Sequence, residues 1–246
     1  ATGSGYSGGN GPAPGGVNCG ASHGGWGRDG AGTCTLEPYG SIYNPVTHGA
    51  ATGGSGAGGG VILLVVEGML TNNGSIESCG TTGSYHYGGA GGSVNITAGS
   101  LAGAATGVIK ADAHPVHCSA CEKGPSGGGR IAVTLTDAAA DFAPYLGKIT
   151  AFGARINTTT RSGGAGTIYL RTAAQQLDEG TLIIDNDNGF DPAGTPVGGA
   201  VEGTAFGTVE IRNKGKLVAA PDANITVSTG WHNWSGIFES GAGSGV

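Results

Sequence analysis

Two series of short apolar motifs, each opened by glycine, run through the chain in step. The first comprises Gly-Val-Ile-Leu-Leu-Val (60–65), Gly-Ser-Val-Asn-Ile-Thr (92–97), Gly-Arg-Ile-Ala-Val-Thr (129–134) and Gly-Thr-Ile-Tyr-Leu-Arg (166–171). Their leading glycines are 32, 37 and 37 residues apart. The second comprises Gly-Ser-Ile-Glu (74–77), Gly-Val-Ile-Lys (107–110), Gly-Lys-Ile-Thr (147–150) and Gly-Thr-Leu-Ile (180–183), with spacings of 33, 40 and 33. Each unit predicts a strand, a turn, a second strand and a Gly-rich return loop.

Within the first strands, alternation aims Ile62/Leu64, Val94/Ile96, Ile131/Val133 and Ile168/Leu170 to one side. Ile76, Ile109, Ile149 and Leu182 form the equivalent row in the second series. One unit cannot bury such a row alone, but units stacked at ~4.8 Å make a continuous core. The expected fold is therefore all-β: a right-handed parallel β-helix, or solenoid, of about four to six coils. The strand signals at 208–211, 216–219 and 224–227 supply the last coils. An antiparallel β-sandwich is the second choice, but its hairpins would recur at closer spacing.

Composition divides the 246 residues in two. Residues 1–60 contain 21 of the 54 glycines and almost no apolar clusters, so this segment is expected to pack on the solenoid formed by 61–246. Only 11% of residues are charged and the net charge is −6, which argues against a nucleic-acid surface. The longest apolar run, Val61–Val66, is far too short to insert in a membrane as a helix.

Cysteines and sequons point outside the cytosol. Cys19, Cys34, Cys79, Cys118 and Cys121 suggest disulfides, with Cys19–Cys34 as one bridge and a second among the other three. Asn73, Asn95, Asn157, Asn224 and Asn233 each open an Asn-X-Ser/Thr sequon and are candidate glycosylation sites. Asn157 is the best placed and Asn95, inside a strand, the least.

Several motifs suggest chemistry without supplying it. His114, His117, Cys118 and Cys121 could ligate zinc, but a disulfide is the stronger expectation in an oxidising compartment. Asp185, Asp187 and Asp191 fail the spacing of a calcium loop and read as an Asx-rich turn. A β-helix lyase or hydrolase would need acids and bases converging on one face, with Asp112, Lys110, Arg130 and Lys148 as the only candidates. The expectation is no enzyme, no catalytic residue, no metal and no cofactor.

The runs from Tyr39-Gly-Ser-Ile-Tyr-Asn-Pro through Gly91-Gly-Ser-Val-Asn-Ile-Thr, Gly127-Gly-Gly-Arg-Ile-Ala-Val and Ala165-Gly-Thr-Ile-Tyr-Leu are similar to Gly-rich extracellular repeat proteins. These include bacterial surface and adhesin arrays and mastigoneme-like proteins of protists. The resemblance spans roughly residues 20–190 and implies an extracellular parallel β-helix used for structure or adhesion. The expected function is a structural subunit of a surface filament, or a module of an adhesive cell-surface fibre. The alternative is a β-helix that binds or cleaves polysaccharide. The expected partners are other copies of the chain, docked head to tail, with glycans as a further class. Trp231, Trp234 and Phe238 are the expected interface, either folding back over their own last coil or docking on the next subunit.

Overall fold

The computed structural model describes residues 19–28, 37–52, 56–82, 88–114, 124–155 and 161–240. Among the described residues there is no helix; the chain is all-β, with several mostly parallel sheets. The fifteen strands are β1 (Gly40–Ser41), β2 (Val61–Thr71), β3 (Ser75–Glu77), β4 (Ser93–Ala102), β5 (Val108–Lys110), β6 (Arg130–Leu135), β7 (Lys148–Thr150), β8 (Thr167–Arg171), β9 (Thr181–Asp185), β10 (Thr195–Val197), β11 (Val201–Glu202), β12 (Ala205–Arg212), β13 (Lys216–Ala219), β14 (Thr226–Trp234) and β15 (Ile237–Ser240).

A seven-stranded sheet ordered β14-β12-β9-β8-β6-β4-β2 forms the centre. Its β2, β4, β6 and β8 are parallel, and their registers place Ile62, Val94, Ile131 and Ile168 in one column. Leu64, Ile96, Val133 and Leu170 make the next. On the same face lies the parallel sheet β3-β5-β7, whose column is Ile76, Ile109 and Ile149. These rows enclose the first core.

The fourth unit departs from the expected repeat. Leu182 does not continue the column of Ile76, Ile109 and Ile149. Instead β9 turns back and pairs antiparallel with β8, setting Tyr169 opposite Leu182 and Ile168 opposite Ile183. Two short turns make the reversal: Gln175 N donates to Thr172 O at 3.1 Å and Glu179 N to Gln176 O at 3.1 Å. The Tyr169 hydroxyl locks them, donating to Leu177 O and accepting from Gly180 N.

The reversal changes which face is buried. Ile183 joins the first core, whereas Tyr169, Leu182 and Ile184 join a second on the opposite face of the sheet. From there β12 and β14 add in parallel to β9, and the parallel sheet β10-β13-β15 covers the second core. One central sheet is thus shared by two stacks that run in opposite directions and face opposite ways.

The Gly-rich returns are not loose connections. Gly59 N donates to Ala90 O at 2.9 Å, Gly91 N to Gly127 O at 3.2 Å and Gly128 N to Gly164 O at 2.9 Å, so these segments stack in step with the strands. The segment expected to lie against the fold is woven into this array: Gly24 and Gly25 both donate to Gly128 O, and Trp26 N donates to Gly194 O. Side chains are excluded here. A Cβ on Gly129 would sit 2.1 Å from Gly92 O, and one on Gly128 would sit 2.0 Å from Ala151 O. Backbone against backbone is the packing, and glycine is its requirement.

Candidate functional site

Three places hold the polar and exposed apolar groups that could carry function: a buried polar centre, a surface cleft and the open ends of the sheets.

Arg130 opens β6 and is wholly buried, in register with Ser93 of β4 and Thr167 of β8. It donates to Tyr39 O at 2.9 Å, Thr167 Oγ1 at 3.0 Å and His23 O at 3.4 Å. These bonds fasten two described parts of the N-terminal segment, 19–28 and 37–52, to the central sheet. Burial pushes the guanidinium pKa down to about 9, so it still carries its charge at neutral pH. His23, equally buried, is pushed down to about 3, by desolvation first and by Arg130 second. Its Nδ1 lies 2.7 Å from Gly91 O and must donate, which leaves Nε2 to accept from the Thr47 hydroxyl at 2.9 Å. The imidazole is held neutral in one tautomer.

That burial predicts a pH dependence. The unfolded His23 titrates near its ordinary 6.5 and the folded one near 3, so between these values the unfolded chain binds the extra proton. Stability is complete above the unfolded value and falls as pH drops, by about 1.4 kcal/mol per pH unit. Urea unfolding of the wild type at about pH 7.5 and pH 5 should differ by about 2 kcal/mol from this residue, and His23→Asn should lose that difference. An equal loss in both proteins would refute the assignment.

The cleft has a volume of about 310 Å³ and is lined by Cys79, Lys110, Asp112, His114, Phe152, Arg155 and Asp187 among others. Successive strands of the β3-β5-β7 sheet deliver them: Cys79 follows β3, Asp112 and His114 follow β5, and Phe152 and Arg155 follow β7. Asp112 accepts from Phe152 N at 2.7 Å and from the Thr150 hydroxyl at 2.9 Å. Desolvation raises its pKa all the same. Lys110 pairs with Glu77 at 3.3 Å, and Arg155 with Asp187 at 2.8 Å. Two members of the proposed lyase constellation, Lys110 and Asp112, therefore meet. The other two do not: Arg130 is in the buried centre, and Lys148 sits in β7 beside Val108. What the cleft offers is the Phe152 ring among the Lys110–Glu77 and Arg155–Asp187 ion pairs. Among the described residues no group of His, Cys, Asp and Glu could hold a metal ion.

Cys79 is a free thiol, which agrees with a single bridge among Cys79, Cys118 and Cys121 that leaves one of the three unpaired. It is partly buried, and desolvation raises its pKa to about 11, so it resists the thiolate chemistry that disulfide exchange requires. Cys19 is disulfide-bonded. Cys34, His117, Cys118 and Cys121 lie outside the described residues, as does Asn157. Asn73, Asn224 and Asn233 are exposed. Asn95 is half-buried and donates its Nδ2, the atom a glycan would occupy, to Asn44 Oδ1 at 2.6 Å. The Asx-rich turn is confirmed in its local form: Asp185 accepts from Asp187 N at 2.9 Å, Asp187 pairs with Arg155, and Asp191 pairs with Arg28.

The third place is the end of the second stack. Trp231 follows the column of Leu182 and Val209 and meets Phe238 of β15 edge to face at 5.1 Å. The two rings are the last layer of the second core. Nothing among the described residues stacks on them, and they remain 40% and 50% exposed. On the other face Trp234 stacks on His232 with ring centroids 5.2 Å apart. The aromatic segment forms the terminal layer itself, with Trp231 beside Val209 and Phe238 beside Leu217. At the far end of the central sheet β2 leaves Leu63, Val65 and Met69 exposed.

No protein-family model matches the chain, and no curated protein and no solved structure matches it either.

Proposed function

We propose that this chain is an extracellular structural protein, a subunit of a surface filament or a module of an adhesive fibre, whose partner is another copy of itself. One observation carries the reading. The stack ends in two half-exposed rings that complete a core on one side and, among the described residues, have no covering layer on the other. A soluble monomer rarely leaves a core column open at a sheet edge, because edges recruit further strands. The in-register columns support the finer reading of the halves as short parallel β-helical stacks, two of them back to back. Exposed sequons and the bonded Cys19 favour an extracellular setting, and a backbone-packed glycine array is suited to a passive scaffold.

Light scattering tests the proposal. Wild-type mass should rise with concentration, whereas a Trp231→Ser/Trp234→Ser variant should stay monomeric. If both are monomeric at high concentration with equal thermal stability, the structural assignment fails.

A further inference from the structure

Resting on that reading, we infer that the next subunit docks β2 and β3 onto β14 and β15, in parallel and after a half-turn about the stacking axis.

The end layers are matched in kind. Strand β14 has nine residues and β2 eleven, while β15 has four and β3 three. Each layer is therefore one long strand of the central sheet and one short strand of a flanking sheet, with the apolar side chains between them. At one end these are Trp231 and Phe238. At the other they are Ile62, Leu64, Val66 and Ile76, only partly buried against the first core.

The antiparallel joint at β8 and β9 decides how the ends can meet. Because of it the two end columns face opposite sides of the central sheet, and β14 runs against β2. A copy added by translation alone would extend the sheet yet leave both columns uncovered. A half-turn about the stack axis exchanges the faces and reverses the strands of the incoming copy. Its Ile62, Leu64 and Ile76 then cover Trp231 and Phe238, and its β2 runs parallel to β14, the pairing used at every strand contact except β8–β9. Aliphatic side chains of moderate size meet large rings, which packs better than rings against rings. The backbone is ready for it. Ser93 N donates to Gly60 O at 2.9 Å, so the alternate peptide groups of Val61, Leu63 and Val65 point away from β4 to the open edge. Unlike surfaces joined this way give an open polymer whose repeat is two subunits.

Two blocked variants test the arrangement by complementation. Trp231→Ser/Phe238→Ser removes the tail layer. Leu63→Pro removes an outward donor of β2, where an edge strand tolerates proline; Ile62→Lys, in the column that would cover Trp231, serves if the proline variant loses its circular dichroism spectrum. Each variant alone should be monomeric by light scattering, and an equimolar mixture should double in mass and grow no further. A Leu63→Pro chain that dimerises alone, or a mixture that stays monomeric, overturns the head-to-tail arrangement while leaving self-association intact. Wild-type chains that never associate overturn both this arrangement and the function it rests on.

Discussion

Replacing Gly166 by alanine should cost at least about 3 kcal/mol of stability, at or beyond the upper end of ordinary overpacking. A Cβ there would lie 1.8 Å from Gly129 O and 2.7 Å from its carbonyl carbon. Both are backbone atoms in a segment held by its own hydrogen bonds, since Gly129 N donates to Ala111 O at 2.8 Å and Gly166 N to Ala151 O at 2.6 Å. A side chain could rotate away from the new methyl group, but a bonded backbone cannot. The control is Gly68→Ala in β2, where nothing lies within 4 Å of the added carbon. Lower backbone entropy of the unfolded chain should leave that variant neutral or stabilised by up to about 1 kcal/mol. Urea midpoints compare the two directly. If they agree within about 0.5 kcal/mol, the glycine array is not the rigid packing described.

Arg130→Ala should have the second large effect, about 3–5 kcal/mol. Two contributions oppose each other. Burying an unpaired guanidinium is costly, which is why its pKa falls to about 9. Against that, the side chain satisfies the carbonyls of Tyr39 and His23 and the Thr167 hydroxyl, and it fills the space between the N-terminal segment and the sheet. Alanine forfeits the three bonds and the volume, leaving His23 O with only its bond from Tyr39 N at 3.2 Å, so the loss should prevail. Arg130→Met keeps most of the volume and should cost about half as much. Hydrogen exchange locates the effect: amides of residues 37–50 should lose protection in Arg130→Ala before those of β4 and β6. The His23 pKa should also rise, because the neighbouring positive charge that depresses it has gone. An alanine variant as stable as the wild type would show that burial cost outweighs the bonds.

Much of the first stack was legible in the spacing alone. The expected alignment of residues 60–65, 92–97, 129–134 and 166–171 is the register of β2, β4, β6 and β8, residue for residue. The second series was equally legible through its first three members, each a single isoleucine between positions that face other surroundings. The fourth carried a signal that spacing concealed. Leu182-Ile183-Ile184 is a continuous apolar run, the mark of a strand buried on both faces, whereas Ile76, Ile109 and Ile149 line one core only. Read for periodicity rather than position, it would have placed the strand inside the central sheet. The cleft was half legible. Lys110 and Asp112 share a strand end and could be paired from sequence, but Phe152, Arg155 and Asp187 reach them only through stacking.

The sequence by itself determined an all-β chain, the positions of β2 to β9, β12 and β13 and the columns of the first core, because alternation and repeat spacing are local properties that survive without knowledge of neighbours. It also marked the Trp231–Phe238 segment as unusual. The tertiary structure decided the rest: the reversal between β8 and β9, the transfer of the core to the opposite face, and the order of the glycine returns. It also brought Arg130 and His23 together across 107 residues. Glycine carries no side chain whose pattern could announce its packing. A buried arginine, in turn, is chosen by carbonyls that come together only after the chain has folded.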